Sequence, residues 1–134
     1  MIEVELSKII IDEEKREQII VLKDKNDTRI LPIVIGLNEA SAIRIHLSGF
    51  VSPRPLTHDL MKSILDSLGA KVDKVVVDKL VDGTFHAKLY IRSKDDEIKI
   101  VDARPSDSVA LAVRMKSPIF VEEGVFEKLT KGEI

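Results

Sequence analysis

The chain has 134 residues, 44% of them hydrophobic and 33% charged, which is room for one domain with one hydrophobic core. It contains no Cys, so a disulfide framework, a thiolate nucleophile and a Cys-built zinc site are excluded. Lys+Arg 21 against Asp+Glu 23 gives a formal net charge of -2, and aromatics make up 4% with no Trp, so a polyanion has to meet a local basic patch rather than a bulk positive field or a set of stacking rings.

The longest apolar runs, Ile30–Ile35 and Val109–Val113, fall far short of the roughly 20 residues that cross a bilayer. Met1-Ile-Glu-Val-Glu lacks the basic and then apolar regions of a secretory signal, so a cytoplasmic protein with no membrane partner is expected. Amides are confined to Asn26, Asn38 and Gln18, and with the dense Lys and Glu usage this resembles a heat-adapted composition.

Ile2, Val4 and Leu6 alternate with Glu3, Glu5 and Ser7, the period of a half-buried strand that runs on into Ile9–Ile11. Gln18–Lys23 reads as a second strand. After the turn-forming Lys25-Asn-Asp27 comes a third, Arg29–Ile35, which Pro32 assigns to an edge or a bulge because it cannot donate a ladder bond. A three-stranded antiparallel meander is the simplest arrangement. Past Gly36 the spacing turns helical, with Ala40, Ile43, Leu47 and Phe50 on one side and Gly49 as the stop. Thr57 is placed to cap a second helix whose Met61, Ile64, Leu65 and Leu68 make an apolar stripe ending at Gly69.

Val75–Val81, Asp82-Gly83 and Thr84–Ile91 form a hairpin signal, since a two-residue Asp-Gly loop suits a type I′ turn. Pairing Val81 with Thr84 sets Asp78 against Ala87, and pairing Arg92 with Glu97 across the loop Ser93–Asp96 sets Ala87 against Asp102. Asp78, Ala87 and Asp102 then share a row on the apolar face, where two carboxylates need an arginine partner or a metal. Ser106–Lys116 is apolar almost all round, as in a helix buried between layers or in an oligomer interface, with Pro105 at its first position. Pro118 breaks it, Ile119–Val121 reads as a short strand and Val125–Leu129 as a last helix.

Polar residues gather at two helix starts, Arg54-Pro-Leu-Thr57-His58-Asp59 and Asp102-Ala-Arg104-Pro-Ser106-Asp107. Capping and the helix dipole account for several of them structurally. The chemical reading is a phosphate or metal-phosphate site built from free backbone N–H groups, Arg104 and the flanking acids. Glu39 and His46 stand on one helix face, flanking a groove. Walker A, G-x-G-x-x-G, H-E-x-x-H and G-x-S-x-G patterns are absent, which removes the support for their chemistries.

Leu37-Asn-Glu39-Ala40-Ser-Ala-Ile43, Arg54-Pro55-Leu-Thr57-His58-Asp59-Leu60, Leu68-Gly69-Ala, Asp82-Gly83-Thr84-Phe85 and Asp102-Ala-Arg104-Pro105-Ser106-Asp107-Ser108-Val-Ala-Leu-Ala together resemble the bifunctional nuclease domain family, in order, over residues 1–129. Residues 130–134 then form a C-terminal tail. The resemblance implies hydrolysis of phosphodiester bonds in DNA and RNA. The expected architecture is a single α+β domain, a mixed and mainly antiparallel sheet carrying three or four helices, assembled as a homodimer through the apolar third helix. Its site would hold Mg²⁺ or Mn²⁺ on Asp102 and Asp107, helped by Asp59 or Glu39, with His58 as general acid or base and Arg54, Arg104 and Ser106 on the phosphate. The alternative is a non-catalytic binding or regulatory module, in which the Arg-Pro motifs are buried ion pairs or the site takes a phosphate or nucleotide.

Overall fold

Alternation, turn chemistry and helical spacing settle into eleven elements in the computed structural model, which describes residues 1–12 and 14–130. They are β1 (Ile2–Asp12), β2 (Glu17–Asp24), β3 (Ile30–Ile35), α1 (Leu37–Leu47), α2 (Thr57–Ser67), β4 (Lys71–Val81), β5 (Thr84–Arg92), β6 (Ile98–Ala103), α3 (Pro105–Met115), β7 (Ile119–Val121) and α4 (Glu123–Thr130). The strands make one sheet in the order β3-β2-β1-β7-β4-β5-β6, antiparallel throughout except where β7 runs parallel to β4. This is the α+β domain that the sequence predicts. Thr130 ends α4, and the rest of the expected tail lies outside the described residues.

The predicted meander is present, with Pro32 on the edge strand β3. Asp82 and Gly83 both have positive φ, as a type I′ turn requires. What the periodicity does not reveal is the position of β7, whose three residues lie between β1 and β4 and so join the meander to the hairpin.

On one face of the sheet Ile20, Leu22, Leu31, Ile33, Val75, Val77, Ala87 and Leu89 meet Ile43 of α1 and Val109–Ala112 of α3. Helix α3 is therefore buried inside its own chain, packed by α1, α2 and the sheet. Its apolar surface accounts for this burial and no longer speaks for a dimer.

Two register expectations are corrected. A bulge between Val77 and Lys79 takes Asp78 out of line, so Ala87 faces Val77. On the other side Arg92 pairs with Ile98, which leaves Ser93–Glu97 as the loop and puts Asp102 opposite Lys88 rather than Ala87. Side chains alternate along a strand, so Lys88 and Asp102 leave the sheet on the face away from Ala87 and Leu89. The predicted row of carboxylates is dissolved. In its place Lys88 Nζ lies 3.0 Å from Asp102 Oδ1 and 3.6 Å from Asp78 Oδ2, on the outer face, where charge is cheaper to hold. The Lys88 ammonium keeps the Asp102 carboxyl below its ordinary range.

The helices are tied by Arg114, a residue the apolar reading of α3 passes over. Its guanidinium is buried, at 6% exposure, and donates from Nε to Asp59 Oδ1 (2.7 Å), from Nη1 to Ala110 O (3.0 Å) and from Nη2 to Ala42 O (3.0 Å). One side chain thus binds α1, α2 and α3. Asp59 also accepts from the Leu56 backbone N–H at 3.0 Å, so Asp59 rather than Thr57 satisfies the start of α2, which begins one residue earlier than a Thr57 cap allows.

Hydrogen bonding from Arg114, with the Leu56 N–H, holds the Asp59 carboxyl below its usual range. Because the folded value is depressed, the stabilisation is complete above the unfolded value of about 3.9 and is lost as pH falls through the folded one. Asp59→Ala is expected to cost about 2–3 kcal/mol at neutral pH by urea unfolding, because it strands a buried guanidinium. The difference from wild type should shrink in strong acid.

Candidate functional site

The starts of α2 and α3 converge beside the first turns of α1. There Asn38, Glu39, Ser41, Ala42, Thr57, His58 and Asp107 line a cleft of about 390 Å³. His58 comes from the first turn of α2 and is only 5% exposed; its Nε2 donates to Asp107 Oδ1 at 3.0 Å. The other ring nitrogen, Nδ1, is enclosed and finds no hydrogen-bond partner among the described residues. The Asp107 side chain is 40% exposed, so in this pair the carboxylate faces the cleft and the imidazole stands behind it. Asp107 is thus the more accessible member of the pair.

Helix α3 opens with Pro105, which has no N–H, followed by Ser106 and Asp107, whose N–H groups belong to the unbonded first turn. Among the described residues no side chain caps them. An adjoining cleft of about 510 Å³ contains Gly36, Glu39, Thr84, Phe85, Arg104 and Ser106. Ser106 is buried, at the edge of this cleft. This end of the helix offers N–H donors, a hydroxyl and a guanidinium to an anion.

Glu39 lines both clefts, and its carboxyl lies in space that the bare Cα of Gly36 leaves open. A Cβ on Gly36 would lie 2.5 Å from Glu39 Oε2 and 3.3 Å from its Cδ. Gly36 has φ -74 and ψ 160, which any residue adopts, so the backbone does not demand glycine there, and a Cβ would displace the flexible end of Glu39.

Of the residues singled out from sequence, the fold brings together Glu39, His58 and Asp107, with Arg104 and Ser106 next to them. Asp102 is not among them: it is 76% exposed at its side chain and ion-paired to Lys88 on the opposite face of the sheet. Asp59 is turned to Arg114 and the α2 backbone and lines a different cleft, together with His46, Phe50 and Val51. Glu39 and His46 therefore belong to separate clefts rather than one groove. Arg54 is exposed and lines none of these clefts, and Arg104 is exposed too, so the Arg-Pro motifs are not buried ion pairs. Asn38 and Ser41 were not singled out, although both lie in the Leu37–Ile43 block that carries part of the resemblance.

A family model described as the bifunctional nuclease domain matches residues 20–132. An uncharacterized protein of Mycobacterium tuberculosis is 43% identical over 123 residues, covering 92% of this chain and 73% of that protein. Bifunctional nuclease 2 of Arabidopsis thaliana is 32% identical over 107 residues, and bifunctional nuclease 2 of Oryza sativa subsp. japonica is 28% identical over 106. Each plant match covers 78% of this chain but 32% of the plant protein.

Gly36→Ala is expected to leave stability unchanged or raised by up to about 1 kcal/mol, since the new side chain restricts the unfolded chain. The same change should turn the Glu39 carboxylate out of its position. Thermal unfolding together with the ¹³C resonance of the Glu39 carboxyl checks both; an unmoved resonance would contradict the assignment of Gly36.

Proposed function

The chain belongs to the bifunctional nuclease domain family, and on that premise we propose that it hydrolyses phosphodiester bonds in DNA and RNA at the cleft between the starts of α1, α2 and α3. The arrangement that chiefly supports this reading is the His58–Asp107 pair, in which a buried imidazole fixes a carboxylate at the mouth of an anion-binding helix end.

Hydrolysis adds water to phosphorus and breaks the bond to the leaving oxygen. Asp107 takes the proton from the attacking water, and His58 positions that carboxylate without touching substrate. The leaving oxygen takes a proton from water in the open cleft while Asp107 releases its own to solvent, and Glu39, on α1, faces the same cleft. The first-turn N–H groups of α3, the Ser106 hydroxyl and Arg104 bind the phosphoryl oxygens, whose charge grows in the transition state.

The residues expected to hold Mg²⁺ or Mn²⁺ together are dispersed by the fold, and of them Glu39 and Asp107 share the cleft. Asp102 is on the other face of the sheet, Asp59 is engaged by Arg114, and among the described residues no group of three or more His, Asp or Glu side chains is placed to hold a metal ion. No described helix is long and apolar enough to cross a membrane. The reading is completed by nucleic acid as substrate, a cytoplasmic location and a homodimeric state.

Cleavage of single- and double-stranded DNA and RNA, each with Mg²⁺, Mn²⁺ or chelator, tests the proposal. Asp107→Asn should lower the rate by about 10²–10⁴-fold, the usual weight of a general base. Asp102→Asn should stay near wild type. A rate unmoved by Asp107→Asn, or no cleavage by wild type under any condition, would favour a module that binds phosphate or nucleotide without cutting it.

A further inference from the structure

Helix α2 has a second face that the fold leaves uncovered. Met61 and Leu65 pack on the core, but Leu60, Ile64 and Leu68 point outward, and so do Ser63 and Ser67 between them. Across the neighbouring groove, which Ser63 also lines, stand Phe50 and Val51. These five large side chains are between 50% and 85% exposed, and this outward face of α2 carries no charged residue in a chain that is 33% charged.

We propose that this face pairs with a second copy of the chain, α2 against α2 and antiparallel, on a two-fold axis passing by Ile64. The inference rests on the homodimeric reading above and supplies its surface.

Three features select a second copy. Leu60 and Leu68 each lie four residues from Ile64, so a two-fold axis there sets Leu60 against the partner's Leu68, Ile64 against the partner's Ile64, and repeats the contact in reverse. Such a self-complementary patch is what an isologous interface requires. Ser63 and Ser67 flank the stripe with small side chains, and Ser67 Oγ already donates to Ser63 O within the helix (2.8 Å), so close approach leaves that hydroxyl satisfied. Finally, five large apolar side chains, each exposed by half or more, make a patch on the order of several hundred Å², the scale of the ~800 Å² per partner that a standard interface buries. With no Lys or Arg on it, the face is unsuited to nucleic acid.

Sedimentation equilibrium of the full chain measures the assembly without any substrate, so this proposal and the nuclease reading can fail separately. Wild type should run at twice 15.0 kDa, and Ile64→Glu at the monomer mass with an unchanged far-ultraviolet circular dichroism spectrum. The chain has no Cys, which makes a second test clean: Ile64→Cys should be linked into a covalent dimer by a short bis-maleimide, and Lys99→Cys, on the edge strand β6, should not. If Ile64→Glu fails to fold, the cross-link decides. A monomeric wild type, a dimer that survives Ile64→Glu in a folded protein, or no preference for Cys at position 64 would overturn the proposal.

Discussion

A guanidinium buried among three helices organises this domain. Arg114 is buried, so its guanidinium nitrogens need protein acceptors, and these come from α1, α2 and α3. Ala42 O and Ala110 O are backbone atoms, which fixes the helices themselves and not merely their side chains. Asp59 neutralises the charge while its other oxygen receives the Leu56 N–H, so the same carboxylate that satisfies Arg114 also fixes where α2 begins. A buried ion pair of this kind is a weak source of net stability but a strong constraint on arrangement, since every alternative packing strands a charge.

The site inherits its geometry from that constraint. His58 lies one residue before Asp59, so anchoring Asp59 sets the position of the imidazole, and α3 carries Asp107 to it two turns upstream of Arg114. Glu39 stands on α1, one turn before the Ala42 carbonyl that Arg114 holds. The three residues of the cleft are thus each within about a turn or two of an Arg114 contact. The cleft needs no residue from the sheet's outer face, which explains why Asp102 can be spent on an ion pair with Lys88.

Much of the fold was legible in the sequence because its signals are local. Alternation marked β1, and Asp82-Gly83 fixed both the hairpin and its turn type. Long-range facts were not. Three apolar residues in β7 say that a strand exists but not that it joins two halves of a sheet. Periodicity also cannot announce a bulge, and the one at Asp78, with the longer loop after Arg92, undid the inferred row of carboxylates. Among site residues, those at helix starts were legible because capping positions and free N–H groups follow from sequence, and Glu39, His58, Asp107, Arg104 and Ser106 do converge. Arg114 was hidden because a single charge near the end of an apolar helix looks the same whether it faces solvent or three other helices.

The proposed site lies where α1, α2 and α3 begin, and not on the outer face of the sheet. Its most direct test is an amide ¹H–¹⁵N titration of the wild-type protein with a short, non-hydrolysable phosphorothioate oligonucleotide. Shifts concentrated at Gly36–Glu39, Thr57–His58 and Ser106–Asp107 are the expected result. Shifts concentrated on β5 and β6 around Lys88 and Asp102 would contradict it.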